Sequence, residues 1–160
     1  MRVGILAGVI LLLLTSCGQD HVYREYADFE DRIWLASEDA RFTFEITDTA
    51  STYNVYCNLR NSTHYKWSRI FVNFTMSDTL GTRLQEKLVT EFLFDPKSGK
   101  PFGKSGLGDL YDHRINVLSN YRFPRAGVYE AVFNQSMRTD SLTGILSVGL
   151  GIEKVPASPN

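Results

Sequence analysis

Cysteine and histidine are scarce in this chain: 160 residues hold two of the first and three of the second. His21, His64 and His113 form no i,i+4 pair, so the spacing that builds a zinc site on one helix face is missing. Neither sign of charge is in excess. With 17 basic and 18 acidic residues the formal net charge is -1, which leaves no cationic surplus to neutralise a phosphate backbone and excludes nucleic acid as an expected partner. Long hydrophobic runs are also missing. The stretch Val3 to Leu14 falls short of the roughly 20 residues that cross a bilayer as a helix. No sustained 3.6-residue apolar stripe follows it, and no Ser/His/Asp order or nucleophile-elbow sequence stands out.

What is present begins with that short apolar run. Arg2 supplies a minimal basic start, and Leu14-Thr15-Ser16-Cys17 closes the segment with a branched residue, two small residues and a cysteine. This is the pattern at which bacterial lipoprotein precursors are acylated on the thiol and cut just before it. Residues 1–16 are therefore expected to be a removed signal peptide, and Cys17 the lipidated N-terminus. Two or three acyl chains, at about 0.8 kcal/mol per buried methylene, hold a protein where one chain does not. Cys57 is then left without a disulfide partner, and its place in the alternation Val55, Cys57, Leu59 makes it a small core residue.

The polar stretch 17–31 reads as a tether, with Tyr23, Tyr26 and Phe29 as its aromatics, residues 32–155 as one domain and 156–160 as a tail. A hydrophobic content of 43% supplies the apolar area a folded core needs. Period-two alternation predicts strands at 41–47, 53–60, 67–77, 84–94, 113–118, 128–135 and 145–155. The fourth is expected to group Leu88, Phe92 and Phe94 on one face. Asp95-Pro96-Lys97-Ser98-Gly99-Lys100-Pro101 and Phe123-Pro124-Arg125-Ala126-Gly127 are turns. The expected fold is all-β, an antiparallel β-sandwich of about seven or eight strands behind an N-terminal lipid-anchored tether.

Several motifs fail on spacing or context. Gly103-Lys104-Ser105 resembles the end of a phosphate-binding loop, but Ser98 stands where its first glycine is required, and Gly106 and Gly108 continue a loop instead of opening a helix. No nucleotide is expected. Asp109, Asp112 and His113 read as turn formers and solvated charges in preference to a metal site, and no metal or other cofactor is expected. The aromatics Tyr53, Tyr56, Tyr65 and Trp67 around Leu59-Arg60-Asn61 are more informative. If Val55, Cys57 and Leu59 face inward, Asn54, Tyr56, Asn58 and Arg60 face outward together, either as a binding surface or as a face covered by the tether. A carbohydrate-binding alternative uses Trp34, Tyr56 or Trp67 as stacking platforms. Three triplets, at Asp48-Thr49-Ala50, Asp78-Thr79-Leu80 and Asp140-Ser141-Leu142, match an Asp, hydroxyl residue, apolar residue pattern used for O-glycosylation in some bacterial envelopes and make Thr49, Thr79 and Ser141 candidate sites. Asp and hydroxyl residues also recur together because both suit turns.

These segments in order resemble the GldH family of gliding-motility lipoproteins of the Bacteroidota. The resemblance is carried by Tyr53-Asn54-Val55-Tyr56 with Leu59-Arg60-Asn61 and Tyr65, then by Gly103 to Asp109 with Asp112. Phe123-Pro124 with Gly127 and Tyr129, Gln135 with Met137-Arg138, Leu142 to Ile145, and Val148-Gly149 before Ile152-Glu153-Lys154 extend it. It implies a non-enzymatic component of the cell envelope, anchored through Cys17 on the outer membrane, whose partners are other envelope proteins of the gliding and type IX secretion machinery. Tyr56, Arg60, Asn61, Trp67, Asp109 and Arg138 are the candidate partner-binding residues.

Overall fold

The alternating segments pair into two antiparallel sheets that face each other. The structure, a computed structural model, describes residues 21–156; the expected signal segment, Cys17 and the end of the tail lie outside the described residues. In chain order the strands are β1 (His21–Asp28), β2 (Ile33–Leu35), β3 (Ala40–Ile46), β4 (Tyr53–Ser62), β5 (Arg69–Asp78), β6 (Arg83–Phe92), β7 (Lys104–Ser105), β8 (Leu110–Tyr121), β9 (Gly127–Gln135), β10 (Ser141–Thr143) and β11 (Ile145–Lys154). One sheet runs β1-β11-β4-β8-β7, the other β3-β9-β5-β6, and β10 with β2 makes a two-stranded ribbon. All seven expected strands are present.

The core lies between the sheets and follows sequence parity. Val55, Cys57 and Leu59 of β4 and Val148, Leu150 and Ile152 of β11 meet Phe42, Phe44, Val72, Phe74, Met76 and Phe133 from the opposite sheet, all buried. Burying a side chain of this size stabilises by about 1.5–3 kcal/mol relative to leaving it exposed. Phe123 plugs one end of the sandwich, its ring centroid 5.4 Å from Tyr53, 5.0 Å from Tyr121 and 4.9 Å from Tyr129.

Two expectations change. Residues 21–28, read as tether, form edge strand β1, with Glu25 opposite Leu150 and Ala27 opposite Val148. Only Tyr23 and Ala27 of this strand pack on the core; backbone pairing to β11, with outer-face contacts of His21, Arg24 and Tyr26, holds the rest, which is why its polar sequence hid it. In β6 the expected inner face is the outer one: Leu88 is 56% exposed, while Val89 is buried opposite Val72. The strand's inward parity includes Lys87, whose Nζ reaches across to donate to the Val117 carbonyl of β8 at 2.8 Å. Leu93 and Phe94 are then both buried, their amides sharing the Ser68 carbonyl, so Phe94 does not continue the face of Leu88.

Strand direction gives the sandwich two unlike ends. His21, Lys154 and the connections 47–52, 79–82 and 122–126 gather at the near end; 29–39, 63–68, 93–109 and 136–144 gather at the far end.

Candidate functional site

On the outer face of the five-stranded sheet, β4 presents Tyr56 and Arg60 as its alternation requires. The register sets Arg60 beside Asp112, and the guanidinium donates to that carboxylate at 2.7 and 3.3 Å. Arg114 lies 3.7 Å from the Tyr56 ring centroid and pairs with Glu153, which also accepts from Arg24 at 3.4 Å and meets His21 at 2.8 Å. Strand β11 contributes Gly149 here, and a Cβ at that position would sit 2.6 Å from Cδ1 of Tyr26, whose ring leans across the glycine. The result is a shallow polar cleft of about 210 Å³ among Tyr26, Asn58, Arg60, Lys104, Asp112 and Arg114. The N-terminal segment extends the sheet at its edge, so Arg60 stays exposed.

At the far end, Gly144 ties three segments together. Its amide donates to Arg32 O and its carbonyl accepts from Ser62 N, both at 2.8 Å. With φ +89° and Tyr65 N only 2.4 Å from where a Cβ would be, no other residue fits. This knot sets the Tyr65–Trp67 turn, where Tyr65 is buried, donates to Arg69 O at 2.9 Å and packs on Trp67 at 5.4 Å. Burial raises the Tyr65 phenol's pKa above its ordinary value. Beside Trp67 opens a pocket of about 510 Å³ lined by Trp67, Phe71, Ser136, Met137, Arg138 and Thr139. Its wall is held by the buried Gln135, whose side chain accepts from Met137 N and donates to Thr139 O, each at 2.9 Å. Asp109, also at this end, meets His64 at 3.3 Å and Arg32 at 4.0 Å.

The structure thus divides the candidates. Tyr56 and Arg60 share one sheet face, Trp67 and Arg138 one pocket, and Asp109 lies on the neighbouring loop. Asn61 departs from the expectation: it is fully buried, because it shares the inward parity of Cys57 and Leu59, and its Nδ2 donates to Ser62 O at 3.1 Å. Trp34, a proposed stacking platform, is also wholly buried, stacked on Phe29 at 5.1 Å with its indole N–H on Glu38 O. Tyr56 already has Arg114 across its ring. Cys57 is buried, and its thiol is pushed up to about 12 by burial, which keeps it protonated and unreactive. Asp112 points outward and His113 inward, with burial lowering the imidazole pKa, so they do not converge. Among the described residues no group of three or more His, Cys, Asp or Glu could hold a metal ion.

The glycosylation candidates are dispersed. Thr79 is exposed on the β5–β6 turn, Thr49 is half-buried in a near-end turn, and Ser141 is exposed but sits in β10, not in a turn. Sequence reasoning missed Tyr26, Arg114, Phe71 and Gln135 as parts of these surfaces. Arg114 was recoverable from its parity with Asp112, whereas Tyr26 required the pairing of β1.

The fold puts the chain in a class: an all-β antiparallel sandwich. Within that class it belongs to the GldH lipoprotein family, whose sequence profile matches residues 21–152. It is 26% identical over 151 residues to the gliding motility lipoprotein GldH homolog of Christiangramia forsetii, covering 90% of each chain. It is 25% identical over 158 residues to the gliding motility lipoprotein GldH of Flavobacterium johnsoniae, covering 92% of this chain and 96% of that one. The infectious bursal disease virus VP2 subviral particle aligns with 81% of this chain and 32% of its own at 10% identity and TM-score 0.33, a likeness too slight to argue from.

Proposed function

We propose that this protein is a non-catalytic lipoprotein, anchored in the outer membrane through acylated Cys17, that supports gliding motility and the associated type IX secretion machinery by docking other envelope proteins. The observation that carries the reading is near full-length similarity to two gliding motility lipoproteins, joined to the cysteine that ends the Leu14-Thr15-Ser16-Cys17 motif. Chain length adds a geometric argument. Only Gly18, Gln19 and Asp20 separate Cys17 from β1, and at about 3.3–3.6 Å per residue the near end stays within roughly 15 Å of the lipid. A ten-residue strand rises about 33 Å, so a domain standing on its near end carries the far-end loops roughly that far from the lipid, within reach of partners. Tyr56 and Arg60 form the docking face on the flank.

Two substitutions test this. Cys17→Ala is expected to abolish incorporation of labelled palmitate and to leave the precursor uncut; continued labelling with unchanged membrane partitioning would overturn the anchor. Arg60→Ala is expected to weaken in-envelope crosslinking to partners and to slow gliding or secretion while leaving thermal unfolding within about 0.5 kcal/mol of the parent. Unchanged crosslinking, gliding and secretion in that variant would overturn docking through this face.

A further inference from the structure

We propose that the far-end pocket beside Trp67 receives an apolar side chain from an acidic peptide segment of a partner protein. The proposal deepens the docking reading above but uses a different surface from Tyr56 and Arg60.

Shape is the first argument. The volume, about 510 Å³, is that of a site that encloses a large side chain with its flanking backbone, and Trp67, Phe71 and Met137 give it apolar walls. Those walls are preformed: the buried Gln135 clamps residues 137 and 139, and Ser136 N donates to Phe71 O at 2.8 Å, so little ordering entropy opposes binding. Trp67 remains partly exposed at 37%, although its neighbours Tyr65 and Phe94 are buried. Tryptophan and arginine are the side chains on which binding energy concentrates in protein interfaces.

Charge selects the occupant. Elsewhere many described cations are paired, among them Arg60 with Asp112, Arg114 with Glu153, Arg125 with Asp78 and Lys154 with Asp48, while Lys97, Lys100 and Arg122 enter no ion pair but line no apolar pocket beside a tryptophan. Of the residues lining the cavity only Arg138 is charged, and it enters no ion pair; Lys66 and Arg69 flank Trp67 and Phe71 along the chain and enter none either, while the nearest carboxylate in sequence, Asp140, lies outside the lining. Arg69 instead lies 4.1 Å from the ring centroid of Phe92 and 5.8 Å from that of Phe71, cation–π contacts that leave it without a carboxylate partner. A carboxylate beside the inserted side chain would form a charge-assisted hydrogen bond to these groups. A cationic or neutral segment would leave them unpaired, and an acidic one approaches faster.

The full-length lipoprotein in detergent micelles is titrated against a fluorescein-labelled heptapeptide with one phenylalanine between pairs of aspartates, read by anisotropy. Two control peptides replace the aspartates with lysines or the phenylalanine with serine. The acidic aromatic peptide is expected to bind saturably, at least ten-fold tighter than either control, and to weaken as salt rises. Arg138→Glu, on an exposed loop, is expected to lower that affinity at least ten-fold and to improve binding of the lysine peptide. Trp67→Ala is expected to abolish both, while Arg83→Glu, the same charge change at the near end, leaves them unchanged. Equal binding of acidic and basic peptides, no saturable binding, or indifference to both Arg138→Glu and Trp67→Ala overturns the proposal. Self-association abolished by Trp67→Ala would overturn it by assigning the pocket to a second copy. If the peptide fails while Arg60→Ala still weakens partner crosslinking, the pocket falls and the docking reading stands.

Discussion

The two ends of the sandwich share one use of charge, the carboxylate-closed turn that Asp95 makes at the far end with Lys97 N and Ser98 N, but differ in what lies beside it. At the near end, charges close turns. Asp48 accepts from Ala50 N, Ser51 and Lys154, and Asp78 accepts from Leu80 N and Thr82 N and pairs with Arg125. The same bonds hold both carboxyls below the usual carboxylate range, led by Lys154 for Asp48 and by the Thr82 amide for Asp78. At the far end, long connections bury Trp34 and Tyr65, leave Lys66 and Arg138 without counter-charges, and open a pocket. Pairing is incomplete at the near end, where Arg122 enters no ion pair, and present at the far end, where Asp109 meets His64 and Arg32; what sets the far end apart is an unpaired arginine lining an apolar pocket.

The comparison breaks most readily at the far end's core. Trp34→Ala, which removes a fully buried indole, is expected to cost about 3–5 kcal/mol in denaturant unfolding and to release the β2–β10 ribbon; a loss under about 1 kcal/mol would mean the far end does not depend on it. Gly144→Ala follows, at roughly 2–3 kcal/mol, because both its φ and its contact with Tyr65 N resist a Cβ. It is also expected to expose Trp67 further, measured as increased iodide quenching of tryptophan fluorescence.

Acid should weaken turns at both ends, since Asp95 of the far end is held low by the Ser98 and Lys97 amides as Asp48 and Asp78 are held at the near end. Asp48 and Asp78 titrate lower folded than unfolded, so the unfolded chain binds more protons as pH falls, and their stabilisation, complete above about pH 4, is lost below it. His113 acts in the same direction in its own window, because burial lowers its folded pKa and stability declines as pH drops below about 6.5. Acid titrations of Asp48→Asn and His113→Gln are expected to be flatter than the parent in those two windows respectively. Arg138→Glu, by contrast, should shift stability by less than about 0.5 kcal/mol, since no contact within the chain depends on its charge.

Glycosylation at Thr79, Thr49 or Ser141 should alter folding least of all, with Thr79 the most accessible of the three. Intact-mass spectrometry of the native lipoprotein is expected to show hexose-scale additions beyond the acyl groups; the unmodified polypeptide mass would remove this expectation.

Much of this molecule was legible before any pairing was known. Period-two alternation located all seven expected strands, and it showed which side of β4 is core, because a strand has only two faces and water rejects one of them. The same parity, followed two residues further, also marks Asn61 as inward. Failure came where local pattern and long-range pairing disagree. The apolar residues of β6 look like an inner face, but registering Val89 on Val72 sends Leu88 outward, and Lys87 tolerates its inward position by reaching the Val117 carbonyl.

By itself, then, the sequence determined the strand pattern and the inert core thiol at Cys57, and it carries the Leu14-Thr15-Ser16-Cys17 motif on which the proposed anchor rests, each a matter of neighbours along the chain. Only the tertiary structure decided that β1 joins the sheet, that Trp67 and Arg138 share a pocket, and that Arg60 is paired while Arg138 is not. Trp67 and Arg138 lie 71 positions apart, and what joins them is the antiparallel register of β5 with β9 and the turn held by Gly144. Backbone hydrogen bonds between distant segments carry little side-chain signature, so such proximities appear only when the strands have paired.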